Sequence, residues 1–216
     1  MCYAERVRCG AYLLWAGFLL LIAGTSEPQP YQNSSQTSGQ QTFRSPDGTF
    51  RFTYPSSYKL YTGSETDQAP GIIPVCQSAV ACVVYPRSTY AGTNFGAAAF
   101  QAREIDDATT ENVCLRPPIL AANGPRFNTA PKDPTKNING VSFLHGIDSS
   151  AAAGSYINSD LYRTFYRSKC YELSINITAT RFENFPQGGV REFSSGDEQR
   201  VENELTMILN SFRFLK

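Results

Sequence analysis

Beside its 19 acidic residues, the sequence has one histidine and six cysteines that could carry redox, metal or acid–base chemistry. His145 could act as a general base, because imidazole changes its charge near neutral pH. It stands in VSFLHG at the end of an apolar stretch, and no Ser-His-Asp order, HExxH motif or pair of catalytic carboxylates accompanies it. We therefore favour a structural or exposed His145 and assign no catalytic residue.

The cysteine pattern indicates disulfide bonds. Two of the six cysteines lie in the N-terminal segment that we assign below to a signal peptide, which leaves Cys76, Cys82, Cys114 and Cys170. No C-x-x-C spacing occurs and the chain has a single histidine, so we predict neither a metal site nor a cofactor. Four cysteines allow three pairings that the sequence cannot separate. We prefer Cys76–Cys82 with Cys114–Cys170, because the first two flank the short stretch QSAVA.

The charge balance argues against nucleic acid as a partner. The chain has 19 basic and 19 acidic residues and no formal net charge. Neither a nucleic-acid footprint nor a polybasic membrane patch is visible in that balance. The acidic residues at 104, 106, 107 and 111 lack the alternation and the glycine of a calcium loop. They predict a solvated turn.

The first 25 residues predict a signal peptide. Arg6 and Arg8 precede an uncharged run of 14 residues, 11–24, and a polar segment follows. This run is shorter than the roughly twenty residues that a membrane-spanning helix needs. Thr25 stands where bacterial lipoproteins carry a lipidated cysteine. We therefore expect an exported protein, secreted or periplasmic, with no stable membrane anchor after cleavage.

The remaining chain predicts a linker and one domain. Residues 26–41 are rich in Gln, Ser and Pro, which is typical of a flexible linker. Residues 42–216 predict a single α+β domain in which TFRFTY and VACVVY form strands. In CYELSINITAT, apolar and polar residues alternate, which predicts one buried face and one wet face. Cys170 falls on the face of Glu172 and Ser174, where it can reach a covering element.

The C-terminal segment predicts an amphipathic helix. Ser195 and Glu198 have the spacing of a capping box. Apolar residues then recur at helical spacing and should pack on the sheet. These residues are Val201, Leu205, Ile208, Leu209 and Phe212.

The middle of the domain contains a short helix and two loops. ATTENVCL predicts a short capped helix that carries Cys114. The Pro-rich stretch Arg116–Asn137 predicts a loop, and long irregular loops are usually functional or disordered. DSSAAAGS predicts a loose connection between two strands.

A candidate contact surface lies on the predicted strand Tyr156–Arg167. Tyr156, Tyr162 and Tyr166 share one face of this strand, and Arg163 lies on the other. Aromatic and polar side chains together on a sheet can bind sugars or the surface of a partner. These four residues are the contact surface that the sequence favours.

Both ends of the domain resemble PsbP-like domains. SPDGTFRFTYPSSYKL is similar to their opening strand and "YP" turn, and the helix that runs into ILNSFRF is similar to their close. The resemblance covers about 35 residues. It implies an α/β/α sandwich and a role in binding rather than catalysis, as in extrinsic photosystem II subunits and exported bacterial proteins of unknown role. We carry over no functional residue.

Three hypotheses about function follow. The first is an exported, non-catalytic binding or accessory module whose partner is a protein of unknown identity. The second is an extracytoplasmic hydrolase that uses His145 with an acid and a nucleophile assembled in space. The third is a small-ligand carrier, which requires an enclosed apolar pocket of roughly 300 Å³ or more.

Overall fold

A computed structural model describes residues 39–71, 73–116 and 134–216, and the structural statements below concern those residues. The predicted signal peptide, most of the predicted linker and most of the Pro-rich stretch lie outside the described residues. The elements in chain order are β1 Gln40–Arg44, β2 Phe50–Pro55, β3 Lys59–Thr62, β4 Ala81–Val84, β5 Phe95–Glu104, α1 Glu111–Cys114, β6 Thr135–Ile138, β7 Val141–Ala152, β8 Ser155–Tyr166, β9 Lys169–Thr180, α2 Ser195–Ser211 and β10 Arg213–Phe214.

The strands form two sheets. The larger sheet has the order β3-β4-β5-β9-β8-β7-β6, and the smaller sheet has the order β1-β2-β10. Every pair of neighbouring strands in them is antiparallel. This architecture, closed by a long C-terminal helix, confirms the predicted α+β class with a mainly antiparallel sheet.

Helix α2 and the smaller sheet cover one face of the larger sheet, which we call the helix side. Val201 and Leu205 of α2 are fully buried, and they share one core cluster with Leu173 and Ile175 of β9 and with Phe52 of β2. Each buried side chain of this size stabilises the fold by roughly 1.5–3 kcal/mol. The predicted amphipathic helix and its packing on the sheet are confirmed.

The cap of α2 lies one residue earlier than predicted. Ser194 is the N-cap: its hydroxyl accepts a hydrogen bond from Asp197 N, and Asp197 Oδ2 accepts one from Ser194 N. The sequence SSGDE contains two Ser-x-x-acid spacings, and Arg191 favours the first by contacting Asp197 Oδ2 at 2.8 Å. The second acid, Glu198, accepts a hydrogen bond from Asn158 instead.

Strand β9 is buried on both faces, so the prediction of a wet face was wrong. Glu172, Ser174 and Asn176 are 1%, 0% and 6% exposed. A covering segment, residues 74–79, lies over this polar face, and Asn176 Nδ2 donates to the Val75 carbonyl oxygen at 2.8 Å. The alternation is real, but the polar residues bond inside the protein rather than to water. We call this face of the larger sheet the polar side.

The stretch DSSAAAGS is not a loose loop, which corrects the prediction. Its first residues extend β7, and a two-residue turn at Ala153 and Gly154 leads directly into β8. Both turn residues have positive φ, 48° and 77°, which is the backbone of a type I′ hairpin turn. Alanine seldom adopts that conformation, so the sequence lacks the usual Asn-Gly signal.

Strand β1 begins at Gln40, so the last two residues of the predicted linker belong to the sheet. Gln40 and Gln41 pair with Pro55 and Tyr54 of β2. Tyr54 also donates its hydroxyl proton to Gln41 Oε1 at 2.8 Å. These contacts extend the folded domain slightly beyond the predicted boundary at residue 42.

Candidate functional site

Two disulfides attach covering elements to the polar side. The bonds Cys76–Cys82 and Cys114–Cys170 are present, with Cα–Cα distances of 5.9 and 5.4 Å. The first holds the covering segment 74–79 to β4, and the second holds α1 to the start of β9. Both bonds lie in small buried clusters. The preferred pairing is confirmed, and Cys170 reaches a covering element as predicted.

Helix α1 is short and is capped as predicted. Thr110 is the N-cap, and its hydroxyl oxygen accepts a hydrogen bond from Val113 N. A four-residue helix has little stability of its own. Its position therefore depends on the covalent bond from Cys114 and on its contacts with β8 and β9.

A groove runs between these two covers, and we call it the polar-side groove. It consists of a cavity of about 570 Å³ beside α1 and a cavity of about 250 Å³ beside the covering segment. Arg103 of β5 and Arg163 of β8 line both cavities. The two arginines therefore mark the point where the cavities adjoin.

A buried carboxylate lies between these arginines. Arg103, Glu172 and Arg163 are direct neighbours across β5, β9 and β8. Arg103 Nε and Nη2 both lie 2.7 Å from Glu172 Oε1, and Arg163 Nε lies 2.6 Å from Glu172 Oε2. Side-chain exposure is 31% for Arg103, 1% for Glu172 and 16% for Arg163. We call these three residues the triad.

The triad is explained by the cost of burying charge. An ionised carboxylate without partners is very unfavourable away from water, and charge-assisted hydrogen bonds offset that cost. Glu172 receives such bonds on both oxygens. Two cations and one anion leave one net positive charge at the junction of the two cavities (2 − 1 = 1).

Replacing Glu172 with glutamine should destabilise the protein by about 3 kcal/mol, because two arginines would then face each other without an anion. The free energy of unfolding, measured by urea denaturation, checks this value. The matched control is Glu183→Gln, at an exposed position, which should change it by less than about 0.5 kcal/mol. Equal small effects for both variants would contradict the role assigned to the buried carboxylate.

His145 lies on the helix side in a second, smaller site. Its Nε2 is 3.0 Å from Asp160 Oδ1, and its ring stacks on Tyr162 with centroids 4.5 Å apart. A cavity of about 220 Å³ separates this strand region from α2, which contributes Glu198 and Glu202. These contacts fix the His145 ring beside Asp160, Glu198 and Glu202, which we call the acidic cluster.

The acidic cluster alters the titration of its members. Burial raises the pKa of Glu202, and the negative charges of Asp160 and Glu198 raise it further. Burial also raises the pKa of Tyr162. Burial together with neighbouring negative charge, as at Glu202, is a way in which proteins tune a carboxyl group for acid–base chemistry.

The predicted tyrosine contact surface is not an open surface. Tyr156, Tyr162 and Tyr166 all lie on the helix side, where α2 and the smaller sheet cover them. Tyr162 is only 4% exposed, and the ring of Tyr166 stacks on Phe214 at 3.9 Å. Arg163 lies on the opposite face, in the triad. The alternation was predicted correctly, but the four residues do not form one contact surface.

Two further observations concern ligands and membranes. Among the described residues, no group of three or more His, Cys, Asp or Glu side chains is placed to hold a metal ion. In the same parts of the chain, no helix combines the length and the apolar character needed to cross a membrane.

Known proteins offer only distant similarity. No family model and no curated protein matches the sequence. Among solved structures, a Bacteroides thetaiotaomicron protein matches 83% of this chain at 14% identity and a TM-score of 0.39, and this chain spans about half of its length, 49%. LpqN of Mycobacterium tuberculosis, described as involved in cell envelope biogenesis, matches 82% of this chain and 91% of its own at 14% identity and a TM-score of 0.47.

The PsbP protein CyanoP of Synechocystis also appears among the similar structures. It matches 88% of this chain and 100% of its own at 9% identity, with a TM-score of 0.43. A PsbP protein is thus among the solved structures to which this chain is weakly similar, and no residue role is transferred from it.

Proposed function

We propose that this chain is an exported, non-catalytic binding module that holds a protein partner at the polar-side groove. The observation that carries the proposal is that each of the two disulfides fixes one of the two covers of the groove. Disulfides form and persist mainly outside the reducing cytoplasm. Together with the signal-like start of the sequence, they support a secreted or periplasmic location.

The chemistry of the groove supports polar recognition more than apolar carriage. The cavity of about 570 Å³ is large enough for a small ligand, but Arg103, Glu104, Asp106 and Arg163 are on its walls. Carriers of apolar molecules surround them with hydrophobic side chains. A polar or charged group of a partner is the better match to these walls.

A groove-filling variant tests the proposal. Gln77 is exposed at the rim of the smaller cavity, so Gln77→Trp should cover the opening without disturbing the core. With a C-terminal tag on the full chain, capture of a partner from the extracytoplasmic fraction should fall at least about tenfold, because the contact area is blocked. The control Gln187→Trp, at another exposed glutamine, should capture as the unmodified chain does.

Melting curves of both tryptophan variants should match that of the unmodified chain, so that a change in capture reports binding rather than unfolding. Equal capture by both variants would move the contact away from the polar-side groove and overturn the proposal. Loss with Gln77→Trp alone supports it.

A hydrolase is the second candidate, and a specific observation favours it. His145 contacts Asp160 at 3.0 Å beside Glu202, whose pKa is raised by burial. His145→Ala separates the candidates in the same capture assay and in screens with ester and glycoside substrates. A binding module that uses the polar side should keep its partner, whereas an enzyme that depends on His145 should lose activity.

A further inference from the structure

Two arginines on the wall of the polar-side groove keep unused hydrogen-bond donors. A guanidinium group has five N–H donors and no acceptor. Glu172 accepts hydrogen bonds from Nε and Nη2 of Arg103 and from Nε of Arg163. The Arg116 carbonyl oxygen accepts one from Nη1 of Arg163. Within the ranges that the structure describes, Arg103 Nη1 and Arg163 Nη2 meet no acceptor. We call these two nitrogen groups the donor pair.

The smaller cavity places apolar surface next to the donor pair. Ile157 and Leu161 of β8 alternate with Ser159 on its floor, and Val75 of the covering segment borders it. Leu161 is two residues from Arg163 and lies on the same face of the strand. A volume of about 250 Å³ suits a body of a few carbon atoms rather than a large ligand.

The charges around the donor pair favour a monoanion. Glu104 is neutralised by Lys169 at 2.9 Å, and Asp106 and Asp107 are exposed at the outer cavity. Asp148 borders the smaller cavity, about 13 Å along the strand direction from the triad. A single carboxylate balances the one net positive charge of the triad, whereas the second charge of a dianion would face these carboxylates without a cation to balance it.

Resting on the proposed binding function, we infer that the polar-side groove recognises a monocarboxylate with a short apolar body. Arg103 and Arg163 bind the carboxylate oxygens, and Ile157 and Leu161 contact the body. The planar guanidinium groups match the planar carboxylate and give directional hydrogen bonds. A free organic acid and the C-terminal end of a peptide partner share this chemistry.

Titration of the isotope-labelled full chain with butyrate tests the inference. The side-chain NMR signals of Arg103 and Arg163 should shift and saturate. Arg51, which is exposed on β2, should shift only linearly with ionic strength. Butyramide has the same shape without the charge and should leave all three signals unchanged, and phosphate should bind more weakly than butyrate.

Two further experiments identify the source of the carboxylate and the role of the forked guanidinium group of Arg163. N-acetylvaline mimics a peptide C-terminus, so tighter binding than butyrate indicates a peptide end, and weaker binding indicates a free acid. Arg163→Lys keeps the charge but loses the forked geometry, and it should weaken butyrate binding at least about tenfold. The unmodified chain alone still tests the inference if that variant does not fold.

The inference is overturned if Arg51 responds as strongly as Arg103 and Arg163, or if butyramide binds as butyrate does. If Gln77→Trp reduces capture of the partner but neither butyrate nor N-acetylvaline shifts the arginine signals, the inference is overturned and the proposed function stands. Saturable butyrate binding with capture unaffected by Gln77→Trp supports the inference and overturns the proposed function.

Discussion

Leu205→Asp should prevent stable folding of the domain. Leu205 is fully buried at the centre of α2, where truncation alone costs about 2–5 kcal/mol. A carboxylate at this position would also be buried without a partner, which adds several kcal/mol. The sum approaches the whole stability of an ordinary domain, about 5–15 kcal/mol. Circular dichroism during heating should show no cooperative transition, or a melting temperature lowered by tens of degrees.

Met207→Asp is the matched control for this substitution. Met207 lies two residues further along the same helix and is 64% exposed. The same chemical change there should alter the melting temperature by only a few degrees. Similar melting curves for both variants would show that α2 does not cover the helix side through Leu205.

Removal of the Cys114–Cys170 disulfide should cost about 4 kcal/mol of unfolding free energy, and removal of Cys76–Cys82 about 2.4 kcal/mol. The difference arises because the first bond closes a ring with a sequence separation of 56 residues and the second one of 6. A longer ring restricts the unfolded chain more. Urea denaturation of the two double alanine variants measures both values.

Free-thiol titration of the denatured, unreduced protein supplies the control, and it should find almost no free thiol at Cys76, Cys82, Cys114 and Cys170. If both double alanine variants lose the same free energy of unfolding, the disulfides act mainly through contacts in the folded state. A larger loss for Cys76–Cys82 would contradict the ring-length explanation directly.

Local periodicity made much of the fold predictable. Phe50, Phe52 and Tyr54 alternate with polar residues in the sequence, and all three are buried in β2. The helical spacing from Val201 to Leu209 likewise identified the buried face of α2. Such patterns can be read within one element because each face repeats at a fixed interval.

The candidate site required information that no single element contains. Arg103, Glu172 and Arg163 belong to three strands, and only their register makes them neighbours. The sequence also does not show that the segment 74–79 covers β9, so its alternation predicts a wet face for Glu172. The prediction that the tyrosines of β8 form an open surface was wrong for the same reason, because elements distant in sequence cover the helix side.

The two disulfides on the polar side give the domain a chemical asymmetry. The covers of the polar side are held by covalent sulfur bridges, whereas on the helix side α2 packs on the sheet mainly through buried apolar side chains. Reduction therefore acts first on the polar side, where the disulfides lie, whereas heat weakens the apolar packing on the helix side. A reducing agent should therefore release the covers of the polar-side groove while the hydrophobic core under α2 stays assembled.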